Sequence, residues 1–475
     1  MFGGRLIRKL ERLNVWKVGI KMQEETKKLI DNVNRSLKPG SHPGLSRVQK
    51  FCELCGHPEQ RIRTIHVAGT NGKGSVSNMT RLILTEAGYK TAVFNSPFLS
   101  TPLEYFQIDG VQICEERFIE LCSRLLMLAL QMSEPPTEFE FYTVAALVYF
   151  AEEQCDFAVI EAGMGGRLDA TNVLTNTVLC MITNIGIDHK EYLGDTIEQI
   201  AREKAGIMKP QVPVVVYPSD EKAVKVLGNT AQELQSPFVC VSLARVTDIR
   251  QGKVRNSGIA QGTRENEETQ VCQIRRMQYI TDNGQKYEVS LPTEAEFQMR
   301  NCALVLEGVE VLKKQGVCID VKTVREALMK FRLPARFEIL SEEPLMIADG
   351  GHNPQCIDAV MESMQPVVSK IREQNGKVIV LSGIMRDKDY AYVYQRLSEI
   401  ADEFVLVAAD VSRALTTDEL EAELLQYNKT VYKAATPMQG AEYAYQHLNK
   451  QDCLLVSGSF YIMSDILSVL KRKLQ

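Results

Sequence analysis

The chain has 475 residues, more than one ordinary core accommodates, and two α/β domains are the expected division. Hydrophobic residues make up 45% and charged residues 24%, with a formal charge of -5, so the overall field offers nothing to nucleic acid or an anionic membrane. No apolar run approaches the roughly 18 residues of a spanning helix, and twelve cysteines without a repeating spacing fit a reducing compartment, the cytoplasm, with thiols used as small core residues.

The first 21 residues carry Lys and Arg and no acid before Glu11. They lack Ser and an apolar h-region, so we read residues 1–21 as an extension ahead of Met22, or as a short basic helix, rather than a targeting signal. Cys52 and Cys55 form a lone C-x-x-C, a weak metal signal without a second pair. Their apolar neighbours fit the packed end of a helix.

Arg63-Thr64-Ile65-His66-Val67-Ala68 reads as a buried strand, and residues 75–86 as a helix with Val76, Met79, Leu82 and Ile83 on one face and Gly88 as its stop. Between them lies Gly69-Thr70-Asn71-Gly72-Lys73-Gly74-Ser75. Small residues let backbone N–H groups close around a phosphate, and a helix N-terminus adds positive potential. Lys73 can reach the β- and γ-phosphates of a nucleotide, and Ser75 can cap the helix or approach Mg²⁺. The segment is not a strict P-loop, because Val67 stands where the first glycine would be and Gly74 separates Lys73 from Ser75.

Further strands are expected at residues 91–94, 157–160 and 178–182, alternating with helices, which implies a mostly parallel sheet covered on both faces. Chemistry-bearing residues follow three of these strands, where open α/β sheets bind ligands. Ser96 follows the first. Glu161 opens Glu161-Ala162-Gly163-Met164-Gly165-Gly166-Arg167-Leu168-Asp169-Ala170-Thr171-Asn172 after the second. Asp188-His189 and then Glu203-Lys204-Ala205-Gly206-Ile207 come after the third. An acid at such a strand end commonly holds Mg²⁺ in phosphoryl chemistry, although it can equally cap the next turn. Asp169, in the Asp-Ala-Thr-Asn turn, can form an Asx-turn.

Residues 250–269 are polar, Gly-containing and aperiodic, and are expected to form a surface loop; residues 316–336 read as a last helix and a linker around Pro334. A second α/β series follows, with strands at 345–348, 378–381, 404–407 and 453–456, giving a smaller doubly wound, Rossmann-like domain. The expected division is 1–21, 22–333 for the P-loop-containing, ATP-binding domain, and 334–475 for the second domain.

The phosphate loop, the Ser96-Pro97-Phe98 turn, the 161–172 segment and the Asp188-His189 and Glu203–Ile207 segments together resemble the folylpolyglutamate synthase and dihydrofolate synthase family of the Mur ligase superfamily. The Lys-Gly-Ser order of the loop is more like the folate branch than the peptidoglycan branch, which usually carries Thr after the lysine. Phe297-Gln298-Met299-Arg300-Asn301, Pro334-Ala335-Arg336-Phe337-Glu338 and Asp349-Gly350-Gly351-His352-Asn353-Pro354 extend the resemblance toward the C-terminus. It implies ATP-dependent addition of L-glutamate to folate, with dihydropteroate as a further substrate left open. It implies Ser96, Glu161 and His189 as metal ligands, a carbamylated Lys204, Asp169 at the substrate, and Asn301, Arg336, Asp349 and His352 at the nucleotide. Arg336 can pair with phosphates through its guanidinium fork. ATP, Mg²⁺, a folate and L-glutamate are then the expected ligands of a monomer with no nucleic-acid or membrane partner. Phe98 stands where many relatives have His, and Tyr105 follows Glu104 where many have Arg, near the expected folate pocket. The aromatics of Phe139-Glu140-Phe141-Tyr142-Thr143 read mainly as core.

Two other readings compete. A peptidoglycan-precursor ligase would be expected to carry a uridine-nucleotide-binding N-terminal domain, and only about 60 residues precede Arg63. A nucleotide-dependent switch would have little use for Glu161, His189 and Lys204 together and would show no glutamate-dependent ADP release.

Overall fold

The computed structural model describes residues 22–40, 42–255 and 271–474. The expected N-terminal extension and residues 256–269 of the expected loop lie outside them. The strands are β1 (Arg63–Ala68), β2 (Thr91–Phe94), β3 (Gln107–Ile108), β4 (Val111–Gln112), β5 (Phe157–Glu161), β6 (Thr177–Ile182), β7 (Val214–Val216), β8 (Phe238–Cys240), β9 (Val246–Arg255), β10 (Val271–Ile280), β11 (Lys286–Leu291), β12 (Arg336–Glu342), β13 (Leu345–Asp349), β14 (Val378–Gly383), β15 (Glu403–Leu406), β16 (Thr430–Lys433) and β17 (Cys453–Gly458). Contacts divide the chain into two units. One takes in the described chain up to Arg250 with Arg276–Leu291 and Gln298–Phe331; the other takes in Gln251–Arg275, Pro292–Phe297 and Arg332–Gln475.

The first unit is built on an eight-stranded sheet in the order β4-β3-β2-β5-β1-β6-β7-β8. β2, β5, β1, β6, β7 and β8 run parallel, while β3 and β4 add an antiparallel edge. β1, β2 and β5 are buried almost throughout because helices cover both faces, and this is why they read as continuous apolar runs. The order places the chain reversal beside β1: after β1 the chain crosses to β2, returns to β5 between them, and then passes to β6 on the other side. Register pairs Phe94 with Ile160, Val67 with Glu161 and Ala68 with Ile182, so four strands end nearly level and their following loops share one edge. That edge is the crevice in which open α/β sheets hold ligands.

The helix after β1 is Lys73–Glu86, two residues longer at its start than expected. Gly72, not Ser75, is its N-cap, in the left-handed region at φ 90°, and Ser75 is buried within the first turn. Gly88, at φ 93°, follows the C-cap Ala87, where a glycine can adopt that turn without strain. The Cys52–Cys55 pair lies at the end of Ser46–Leu54. Burial pushes both thiols well up, as expected of packing residues.

Residues 250–255 belong to β9 of a three-stranded sheet, β11-β10-β9, rather than to a loop. Their polar, aperiodic sequence hid the strand, which lies at the edge of its sheet. Pro334 lies in the short irregular connection between the last helix of the first unit and the first strand of the second, as expected of a linker. After Val321–Met329, Arg336 opens β12, which pairs antiparallel with β13 and places Arg336 opposite Asp349.

The second unit carries a six-stranded sheet, β12-β13-β17-β14-β15-β16, parallel apart from the β12 edge. β12 and β16 are the strands the sequence concealed: both are edges, and β16 buries little of its surface. Among the described residues no helix is long and apolar enough to cross a membrane.

Candidate active site

The phosphate loop leaves β1 at Gly69, whose φ of 147° is open to glycine, and a Cβ there would stand 1.8 Å from Thr183 Oγ1. The loop is held from below by the strand end next to it. Thr70 N donates to Asn184 O at 2.7 Å, and Thr70 Oγ1 donates to Gly186 O at 3.0 Å. Asn78 donates from Nδ2 to Gly74 O at 2.9 Å, fixing the far side. A Cβ on Gly72 would lie 2.6 Å from Asn301 Oδ1, so the structure brings the buried Asn301 against the loop from the helix Glu296–Lys314. No side chain caps the helix that begins at Lys73.

Lys73 Nζ donates to Thr70 O at 3.1 Å and lies 3.9 Å from Glu161 Oε1. Glu161 ends β5 and is buried, and its other oxygen accepts from Asn95 Nδ2 at 2.9 Å and Ser96 N at 3.3 Å. Asn95 Oδ1 in turn accepts from Asn78. Ser96 Oγ is buried without a hydrogen-bond partner. Asn78, Asn95, Thr183 and Asn184 were not singled out from sequence; Asn95 and Thr183 immediately follow strands, a position that is itself a signal.

Lys204 sits in the last turn of Ile197–Ala205, 3% exposed, and its Nζ donates to Gly69 O at 2.8 Å. Burial pulls the amine down to about 7, and the neighbouring Lys73 charge adds to this while Asp188 and Asp169 oppose it. The amine is thus buried at the foot of the phosphate loop and brought close to neutral pH.

Asp169 is buried and caps the short turn Ala170–Val173. Its Oδ1 accepts from Thr171 N at 2.9 Å and Thr171 Oγ1 at 2.6 Å, and its Oδ2 accepts from Met164 N at 2.8 Å. Burial raises its affinity for a proton and these donors act against that. The Asx-turn is therefore present, and the same bonds pull the 163–169 loop onto the carboxylate. A Cβ on Gly163 would meet the Phe139 ring at 2.6 Å. Phe139 thus reaches the glycine-rich loop, whereas Phe141 and Tyr142 are wholly buried in the core. Phe94, Phe98 and Tyr105 join it in an aromatic group, with Tyr105 stacked on Phe94 at 4.7 Å and edge-on to Phe98 at 5.4 Å. Glu104 accepts from the backbone N–H groups of Leu99, Ser100 and Thr101 and so shapes this turn.

His189 is less engaged. It lies at φ 51° before the short helix Lys190–Leu193, with its side chain 38% exposed and Nε2 4.0 Å from Asp188 Oδ2. Among the described residues no group of three or more His, Cys, Asp or Glu is arranged to hold a metal ion. A Mg²⁺ site needs only one or two carboxylates besides water and substrate phosphates. The orphaned Ser96 hydroxyl and the Glu161 carboxylate are hard oxygen donors of the right kind.

In the second unit, Arg336, Asp349 and His352 form their own group. The Arg336 guanidinium lies over the Phe460 ring at 4.4 Å, beside Asp349. Asp349 is buried and accepts from Phe337 N at 2.8 Å and Gly351 N at 2.7 Å; burial pushes it up to about 6 despite the Arg336 charge. It does not cap the helix Pro354–Glu373, because Asn353 does so through Cys356 N at 2.9 Å. His352 donates from Nδ1 to Gly350 O at 2.9 Å.

The chain matches the Mur ligase middle domain over residues 67–307 and the Mur ligase, glutamate ligase domain over residues 335–460. It is 33% identical to the Bacillus subtilis dihydrofolate synthase/folylpolyglutamate synthase, over 92% of this chain and 97% of that one. It is 31% identical to the Lacticaseibacillus casei folylpolyglutamate synthase, over 81% and 84%. The Mycobacterium tuberculosis folylpolyglutamate synthase, solved as a complex with ADP, superposes with a TM-score of 0.80 at 25% identity, covering 94% of this chain and 98% of that one. With two ligase domains in order and these relatives matched along nearly their whole length, the chain belongs to the folylpolyglutamate synthase and dihydrofolate synthase branch of the Mur ligases.

Proposed function

We propose that the protein is an ATP-dependent ligase that joins L-glutamate to a reduced folate by way of an acyl phosphate. The observation that carries the reading is the meeting of the phosphate loop, Lys73, Glu161 and Lys204 at one edge of the parallel sheet. The named relatives supply the substrate class. The folate carboxylate attacks the γ-phosphorus and ADP leaves; the glutamate amine then attacks the acyl carbon and phosphate leaves. Neither step needs a protein nucleophile, so positioning and charge stabilisation do the catalysis.

We assign Gly69, Thr70, Asn71, Gly72, Lys73, Gly74 and Ser75 to the nucleotide phosphates, with Lys73 offsetting charge on the transferring group. Asn301, Arg336, Asp349 and His352 are assigned to the nucleotide as well. Ser96, Glu161 and His189 would hold Mg²⁺, which neutralises phosphate charge when bound. Lys204 acts as a carbamate, and Asp169 serves the folate side. The remaining parts of the reading are a monomer in the cytoplasm, with residues 22–333 and 334–475 as its two domains.

ADP release measured with tetrahydrofolate and with dihydropteroate, each with and without L-glutamate, tests the proposal. Release that requires glutamate and a folate is expected, and the dihydropteroate arm decides the second activity. ADP release indifferent to glutamate would favour a nucleotide switch, and ligation onto a uridine-nucleotide-linked precursor would favour a peptidoglycan ligase.

A further inference from the structure

His66 is an unusual residue to find in the middle of β1. It is wholly buried between β5 and β6, paired in register with Ile160 and Cys180. Its Nε2 lies 2.9 Å from Thr171 Oγ1, and its Nδ1 has no hydrogen-bond partner. Thr171 is itself fully buried, and its hydroxyl is 2.6 Å from Asp169 Oδ1.

The protons in this chain can be placed. A carboxylate only accepts, so the Thr171 hydroxyl donates to Asp169. The hydroxyl has one proton, so its oxygen must accept from His66, and the imidazole carries its proton on Nε2. The opposite tautomer would leave an N–H on Nδ1 buried without an acceptor, which is costlier than leaving a ring nitrogen lone pair unused. Burial holds the ring neutral, with the Lys209 charge acting in the same direction. Lys209 anchors the neighbouring residue of the same turn, donating to Asn172 Oδ1 at 2.8 Å.

We infer that His66 is a positioning residue for the folate side of the site, acting through Thr171 to fix the Asp169 carboxylate and, with it, the 163–169 loop. The inference rests on the assignment of Asp169 to substrate. The same strand delivers the phosphate loop three residues later, so one element sets the nucleotide cradle from its end and the substrate carboxylate from its middle. Asp169 needs such support because it bonds Met164 N with one oxygen and Thr171 with the other, and a rotation of the carboxyl would release both.

Steady-state kinetics on Thr171→Val, Thr171→Ser, His66→Leu, His66→Gln and Asp169→Asn test this, together with the ¹⁵N shifts of His66. Thr171→Val is expected to raise KM for the folate about tenfold, the usual scale for one buried bond to a charged group, and His66→Leu about fivefold, the scale for a neutral bond, with KM for ATP unmoved in both. Thr171→Ser and His66→Gln, which keep a hydroxyl and an N–H, should recover most of the loss. The ¹⁵N shifts should report the proton on Nε2. An effect of Asp169→Asn on folate KM that Thr171→Val does not share would overturn the role of His66 while leaving Asp169 in place. No effect of Asp169→Asn would remove both. A proton on Nδ1, or an equal rise in KM for ATP, would also overturn the inference, and the tautomer is read from the unmodified protein even if His66→Leu does not fold.

Discussion

Lys204 carries the least ordinary electrostatics of the candidate site. Its amine is enclosed, hydrogen-bonded to Gly69 O, and brought down to about 7 by burial first and by Lys73 second. An uncharged amine attacks CO₂; the C–N bond forms, one proton leaves, and the product carbamate keeps an N–H that can still reach Gly69 O. Its negative charge would then offset Lys73 instead of opposing it. The sign of the pH effect follows. Below about 7 the amine holds its proton and has no lone pair to offer, and above it the amine is free. After CO₂ is stripped from the enzyme, activity should fall. At constant dissolved CO₂, its recovery should speed up about tenfold per pH unit below 7 and level off above 8, as the neutral fraction of the amine does. Time courses of recovery from about pH 5.5 to about 9 check this. Full activity without CO₂, or recovery indifferent to pH, would remove the carbamate from the proposal.

The Lys73–Glu86 helix starts without a side-chain cap. Thr137 and Asn353 cap their helices with side-chain oxygens, but Gly72 has no side chain to offer. An anion held by the loop would supply the missing acceptor for the first-turn N–H groups. Gly72 also pays a steric role: at φ 90° a Cβ would stand 2.6 Å from Asn301 Oδ1. Gly72→Ala should therefore cost about 1 kcal/mol for the left-handed backbone and more for the clash. On an Asn301→Ala background the clash disappears and the cost should shrink toward the backbone part alone. Urea unfolding of the two single variants and the double variant measures the difference; equal costs on both backgrounds would show that Asn301 does not press on the loop.

For the molecule as a whole, ligand binding and stability are linked. A nucleotide at one hundred times its Kd stabilises the folded state by about 2.7 kcal/mol. Lys73 reaches Thr70 O and the neighbourhood of Glu161, so Lys73→Ala should fold and melt near the parent protein without ligand. It should lose turnover and most of the rise in Tm that ATP with Mg²⁺ gives the parent. Thermal melts with and without nucleotide, run beside the ADP assay, check both halves. A variant with near-parental ligation would defeat the assignment of the loop.

The sequence alone made the central strands, the phosphate loop and the family legible. Short apolar runs such as Phe157–Ile160, bounded by turn residues and too short for a helix, read as buried strands, and a glycine-rich turn between strand and helix suits a phosphate. It also placed Ser96, Glu161 and Lys204 in segments that the fold gathers at a single edge. What it could not decide came from pairings between distant residues. β12 and β16 are edge strands with weak patterns, and their partners lie elsewhere in the chain. Ser75 was a plausible cap until the helix began two residues earlier. Asn95, Thr183 and Asn184 gain meaning only when strand register sets them beside the loop, and Phe139 only when a glycine leaves room for its ring. The link from His66 to Asp169 spans 105 residues to Thr171 and no local pattern carries it. Such contacts are decided by the order of strands in the sheet, because that order, and not sequence distance, fixes which side chains share a dry space and must satisfy one another's hydrogen bonds.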